Sequence, residues 1–266
     1  MHLGRGYSPA LRFYGGIFMN YSPYFRNQPQ ADTAVLLIHG ILSSPRHFDF
    51  LIPHIPDDYT VSSILLAGHG GSVKDFSKAT MTKWQNQVEQ AVTELESRHR
   101  HILIVGHSLG SLLTLRVLQK HKSIYGVLLL NVPLVPWLKP AMVGRSLRFI
   151  FGKVHTDDPM DMHCYRDLGV HLEPYLWKYI PWIPNFIALL CLANCCKPLP
   201  AELTIPCHAF LGTNDEVVSI RSKRWLLNNP NISLEILENG VHFGYTPDEQ
   251  KKIIRSLLLL LSYDRA

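Results

Sequence analysis

The sequence contains no apolar run of the roughly 18 to 20 residues needed to cross a bilayer. Its longest apolar stretches, Phe186 to Cys196 and Leu257 to Leu261, stop well short. A secretory leader core is missing too, because the longest apolar run up to Met19 is Ile17-Phe18-Met19. The residues before Met19 are therefore expected to form an extension outside the fold, with Met1 and Met19 both open as the functional start. Charge is sparse, at 18% of 266 residues with a net of +5, and the basic residues do not gather into a run interleaved with aromatics. Nucleic acid is thus a poor fit as a partner. The five cysteines, Cys164, Cys191, Cys195, Cys196 and Cys207, form neither an even framework nor a C-x-x-C pair. Reduced thiols in a soluble cytoplasmic protein are expected, with Cys191 and Cys195 on one helical face. Internal repeats and low-complexity tracts are absent.

What the chain does have is apolar residues, 47% of the total, enough for one large core with a sizeable insertion. Short unalternated runs such as Val35-Leu36-Leu37-Ile38 and His101 to Val105 read as strands buried on both faces. Further strands are expected at Tyr59 to Leu66, Gly126 to Asn131, Cys207 to Leu211 and Ser233 to Leu237. Between them, Phe48 to Ile55 reads as a short helix. An amphipathic helix from Thr82 places Trp84, Val88, Ala91, Val92 and Leu95 on one face, with Thr82 and Gln85 as its capping box. Helices at Ser219 to Asn228 and Pro247 to Ser262 complete the alternation. Such alternation predicts a mostly parallel sheet with helices on both faces. It breaks between Pro133 and Pro200, a segment holding nine of the 18 prolines and three of the five tryptophans.

The most informative stretch is Gly106-His107-Ser108-Leu109-Gly110, directly after the His101 to Val105 strand and directly before an apolar helix beginning at Ser111. A G-x-S-x-G turn in that setting marks a nucleophilic serine, held in a strained conformation with small flanking residues so that its hydroxyl projects. A serine hydroxyl needs an adjacent base, itself oriented by an acid, and on open α/β sheets these follow in the chain order Ser, Asp or Glu, His. His242 lies in the glycine-flanked loop Asn239-Gly240-Val241-His242-Phe243-Gly244 after the last strand. His208 sits within a strand, and His163 and His171 fall in the insertion. Asp215 follows the Cys207 to Leu211 strand at its carboxyl end, where sites in such sheets form, and Glu216 beside it is the alternative. Asp157, Asp158 and Asp161 lie in the insertion and are expected to be solvated. An oxyanion needs two N–H donors. Leu109, next to the nucleophile, and Ile41, in the loop His39-Gly40-Ile41-Leu42, occupy the expected places.

Together, Leu37-Ile38-His39-Gly40, Ala67-Gly68-His69-Gly70, Gly106 to Gly110, Gly212-x-x-Asp215-x-x-Val218 and Gly240-x-His242 resemble the α/β-hydrolase superfamily, and within it the bacterial carboxylesterases and monoacylglycerol lipases. The likeness covers about Thr33 to Ser262 apart from the insertion. One departure is Ser111, where many such esterases have a second glycine. The resemblance implies a single α/β-hydrolase domain with a cap or lid insertion at about 133–205. It also implies a serine hydrolase of carboxylic esters with small to medium acyl chains, monoacylglycerols included, needing no metal or cofactor. The insertion's own residues suit an apolar acyl pocket. Val143, Leu147, Ile150, Phe151 and Val154 are expected to share an inner helical face, with Arg145, Arg148 and Lys153 on the polar side. Trp177, Trp182 and Phe186 are the candidate substrate-binding residues. Basic residues on an amphipathic segment also suit weak contact with an anionic membrane surface. An amidase or peptidase, a thioesterase, an acyltransferase and a non-catalytic binding protein are the rival readings, and the oligomeric state stays open.

Overall fold

The computed structural model describes residues 21–263 together with two short strands that pair antiparallel, β1 (Arg12–Tyr14) and β2 (Ile17–Met19). The expectation of an extension before Met19 otherwise lies outside the described residues.

Seven strands form one sheet in the order β3 (Tyr24–Arg26), β5 (Thr60–Ile64), β4 (Thr33–Ile38), β6 (His101–His107), β7 (Ile124–Leu130), β8 (Cys207–Gly212) and β9 (Ile232–Leu237). Only the edge strand β3 is antiparallel; every other pairing is parallel. The unalternated apolar character of β4, β6 and β7 has its cause here, because each is covered on both faces. One face packs Leu36, Ile38, Ile102, Ile104, Val127 and Leu129 against the helix α2 (Met81–Glu96) and the helix α3 (Leu109–Val117). The other packs Val35, Leu37, Leu103, Val105, Leu128 and Leu130 against Phe48, Ile253 and Leu257, the last two from α8 (Pro247–Tyr263). Remaining short helices of the sheet domain are α1 (Val73–Ser77) and α7 (Lys223–Leu226).

Local chemistry corrects two expectations. The cap of α2 is Thr80, whose hydroxyl accepts from the N–H of Lys83 at 3.2 Å, and Thr82 lies inside the first turn. Phe48 to Ile55 is two separate 3-10 turns, Pro45–Phe48 and Ile52–His54, each carrying a proline in its first positions.

Between β7 and β8 the chain leaves the sheet through α4 (Pro140–Ile150), α5 (Pro159–Asp167), a 3-10 segment Leu176–Trp182 and α6 (Ile183–Cys196). Main-chain bonds tie this insertion to the loops above the sheet. Trp137 donates to Val217 at 2.7 Å and Gly169 to Leu42 at 2.7 Å, while Gly70 donates to Gly169 at 2.7 Å.

The face of α4 departs in part from the sequence expectation, for Ile150, Phe151 and Val154 border one cavity and Lys153 is exposed as expected. Val143 and Leu147 are exposed, whereas Arg145 and Arg148 turn inward onto Asp161, which is fully buried rather than solvated. Arg145 Nε reaches Asp161 Oδ1 at 2.8 Å, and Arg148 Nη2 lies 2.9 and 3.0 Å from the two carboxylate oxygens. Burial alone would raise this carboxyl, but the two guanidinium groups and the His155 N–H hold it below the usual range. A paired buried carboxylate pulls its cations inward, and removing one partner strands the other.

The segment Leu176–Cys196 also departs from expectation. Lys178 and two prolines interrupt it as an apolar run, yet the 3-10 segment continues directly into α6. The result is one helical stretch of 21 residues, long and apolar enough by length and composition to cross a membrane, with about a third of it buried inside the fold.

Candidate active site

Strand β6 ends at His107 and α3 begins at Leu109, so the whole reversal falls on Ser108. Its backbone lies at φ 52°, ψ −117°, a region costly for any residue with a Cβ. Small neighbours make the turn possible. A Cβ on Gly110 would stand 1.9 Å from the carbonyl oxygen of Ile38, and one on Gly40 would stand 2.9 Å from Ser108 Cβ. Ser111, standing where many similar esterases have glycine, is fully buried, and its hydroxyl donates to the Gly106 carbonyl at 2.7 Å. Close packing at the elbow therefore survives the departure.

Three loops from the carboxyl ends of β6, β8 and β9 bring Ser108, Asp215 and His242 together. The Nδ1–H of His242 donates to Asp215 Oδ2 at 2.8 Å, which leaves Nε2 as the acceptor facing Ser108 Oγ at 3.1 Å. The other Asp215 oxygen accepts from the N–H groups of Val217 and Val218, both at 2.7 Å. These three hydrogen bonds hold the carboxylate in one orientation. Glu216 points away instead, with Oε1 at 3.3 Å from Arg145 of α4. All three members are buried, Ser108 to 2% exposure.

The main-chain N–H groups of Ile41 and Leu109 are not taken up by other groups among the described residues. Their loop is shaped by two histidines that the paired His-Gly motifs supply. His69 donates from Nδ1 to the Leu66 carbonyl at 3.1 Å, and its Nε2 accepts from the N–H of Leu42 at 3.0 Å, where the chain turns through φ 57°. His39 donates to the Gly40 carbonyl at 2.8 Å and accepts from the Leu66 N–H at 3.0 Å. Each ring needs one protonated and one free nitrogen, so each is neutral. Burial lowers His69 to about 4, and burial followed by the nearby His69 pushes His39 well below its ordinary value.

This arrangement has a consequence for acid stability. His69 titrates near 6.5 when unfolded and near 4 when folded, so the unfolded chain binds more protons in that window. Stability from this group is complete above about pH 6.5 and falls as pH drops toward 4, by on the order of 3 kcal/mol. Urea midpoints between pH 7 and pH 4 should fall less steeply in His69→Gln than in the natural chain. An unchanged slope would remove His69 from the acid response.

Of the remaining sequence-derived candidates, Trp182 is buried against Phe76 and Tyr179, with Nε1 donating to the Val73 carbonyl at 2.9 Å. Trp177 and Phe186 are exposed. None of the three lines the cavity within the insertion, and the inner face of α6 is filled by Asn185, Leu189, Leu192, Ala193 and Cys196. This cavity, of about 400 Å³, is walled by Phe149, Ile150, Val154, Leu168, Val170 and Tyr21 among others, with no Asp, Glu, Lys or Arg in its lining. Missed in the sequence were His47 and Asp167, which form a buried pair at 2.8 Å behind Ser108. His107 stood in the motif as an unassigned position.

A sequence profile described as the alpha/beta hydrolase family matches residues 35–251. A thermostable monoacylglycerol lipase from Bacillus sp. (strain H-257) is 31% identical over 123 residues, covering 46% of this chain and 48% of the lipase. The chain thus aligns with about half the length of that curated relative. Among solved structures, one from work on the metagenome-derived lipolytic enzymes LipS and LipT superposes with a TM-score of 0.70 at 20% identity, over 91% of this chain and 98% of the other. The monoacylglycerol lipase of Paleococcus ferrophilus superposes with a TM-score of 0.65 at 16% identity, over 92% and 99%. The extent of the profile match, on a sheet of this order with its serine elbow in place, means that the chain belongs to the alpha/beta hydrolase family.

Proposed function

We propose that this chain hydrolyses carboxylic esters of small to medium acyl groups, monoacylglycerols among them, through an acyl-enzyme on Ser108. The observation that carries the reading is the unbroken hydrogen-bond chain from Asp215 through His242 to a serine at a strained elbow. Ser108 Oγ attacks the acyl carbonyl as its proton passes to His242 Nε2. Asp215 orients the ring and stabilises the imidazolium that forms. The N–H groups of Ile41 and Leu109 hold the oxyanion. The imidazolium then protonates the departing alcohol, and a water deprotonated by His242 releases the acid. The lipase and esterase names of the similar proteins support an ester as the substrate. Five unpaired thiols support a reducing compartment.

In this reading the insertion between β7 and β8 is a cap, and the cavity within it takes the acyl chain. Its Leu168 to Val170 wall is bonded to the oxyanion loop through Gly169 and Leu42. Each buried methylene is worth about 0.8 kcal/mol, so kcat/KM should rise several-fold per two carbons until the cavity is full and then fall. The measurement is kcat/KM for p-nitrophenyl esters from C2 to C16 below their micelle-forming concentrations. Phe149→Leu should move the optimum to longer chains, and Trp177→Ala should leave it in place. A flat profile, untouched by Phe149→Leu, would point to a small polar ester. The bond itself is tested by a turnover panel of p-nitrophenyl esters, monoacylglycerols, aminoacyl amides and thioesters. Faster turnover of amides or thioesters would replace the ester reading, and absent turnover with absent fluorophosphonate labelling would favour a binding protein.

A further inference from the structure

Behind the triad stands a second histidine and carboxylate. His47, in the turn Pro45–Phe48, donates from Nδ1 to Asp167 Oδ2 at 2.8 Å, and the two side chains are only 1% and 9% exposed. Asp167 is the last residue of α5, so this pair joins the cap to the sheet domain. The His47 ring lies nearly flat on His107, with centroids 3.7 Å apart and planes 21° from parallel. His107, fully buried between Gly106 and Ser108, donates from Nε2 to the main-chain oxygen of His242 at 3.1 Å. Asn131 Nδ2 reaches the same oxygen at 3.4 Å and the Val241 carbonyl at 3.1 Å. Burial, and after it the neighbouring His47, push His107 well below its ordinary pKa, so the ring under His47 is neutral.

Neither His47 nor Asp167 hydrogen-bonds to Ser108 or to the imidazole nitrogens of His242. As a pure stabiliser such a pair is poor, since apolar residues of the same volume often hold a fold as well or better. What a hydrogen-bonded ring supplies is a fixed plane, and the only rings stacked or edged on that plane are His107, Phe48 and Tyr245 among the described residues. We propose that Asp167 and His47 are positioning residues for His242, acting through His107, so that seating of the cap helix α5 and alignment of the base are coupled. This rests on the triad reading above.

A displacement of about 1 Å at a reacting group can cost on the order of 10²-fold. Asp167→Ala and His47→Ala should therefore each lower kcat on p-nitrophenyl butyrate about tenfold or more, with KM changed less than about twofold. Fluorophosphonate labelling of Ser108 should slow in parallel. Asp167→Asn keeps an acceptor for Nδ1–H and should recover most of the loss. His107→Phe keeps a ring beneath His47 but no donor to His242, and adding Asp167→Ala to it should cost nothing more. A purely structural tie would instead raise KM or lower the thermal midpoint while labelling of the folded protein stayed at its natural rate, and that result overturns the proposal. So do losses that multiply in the double variant. If Asp167→Ala does not fold, His47→Gln carries the same comparison, alone and added to His107→Phe. Ser108→Ala run alongside separates the two readings: inert Ser108→Ala with unaltered Asp167→Ala defeats the coupling alone, and active Ser108→Ala defeats the triad with it.

Discussion

Ser108→Ala is expected to abolish fluorophosphonate labelling and to lower kcat by on the order of 10⁶, leaving a residue of about 10³ to 10⁴ over the uncatalysed reaction. The residue comes from what the substitution does not touch. In the proposed mechanism the N–H groups of Ile41 and Leu109 and the acyl-binding cavity are left as they were. The fold should survive, because the hydroxyl's hydrogen bond in the described structure is the one to His242, and the elbow is built by the backbone of Ser108 and by its small neighbours. Equal near-ultraviolet circular dichroism and an unchanged thermal midpoint beside lost turnover would separate chemistry from folding. Full activity in this variant would end the triad reading together with everything placed on it.

The parts of the site legible in the sequence are those encoded locally or by chain order. The elbow is five residues flanked by a strand and a helix, and a short apolar run before G-x-S-x-G leaves few other ways to fold. Asp215 and His242 were reachable because each sits in a loop just past a recognisable strand end. What the sequence hid are partnerships across distance. Nothing near Arg145 and Arg148 announces that Asp161, more than ten residues on, will be buried and draw them inward, so an amphipathic reading of α4 misplaced these two arginines with Val143 and Leu147. The same limit hid His47 and Asp167, which are 120 positions apart and meet only when α5 lies over the loop after β4. Aromatic content could not tell which way Trp177 and Phe186 face, and both are exposed because the inner face of α6 is filled by other residues.

Asp215→Asn should cost on the order of 10⁴ in kcat, and Glu216→Gln far less. The two carboxylates are adjacent in sequence, so only geometry distinguishes them. Asp215 Oδ2 accepts the Nδ1–H of His242 while Oδ1 is held by two backbone donors, which fixes the carboxylate in one orientation. An amide in its place can turn its NH₂ toward Nδ1, and the imidazole then carries its proton on Nε2, where it cannot accept from Ser108. The shape of the site is kept and its proton is in the wrong place. Glu216 holds Arg145 at 3.3 Å and has no contact with His242, so its neutralisation loosens a tie to α4 and leaves the tautomer alone. Its effect should appear in the thermal midpoint and, through the insertion, in KM. Measuring kcat and KM for both variants on one p-nitrophenyl ester, with labelling rates for Ser108, tests the assignment. A larger loss of kcat in Glu216→Gln than in Asp215→Asn would transfer the orienting role to Glu216, and would require the loop after β8 to rearrange by a full residue when substrate binds.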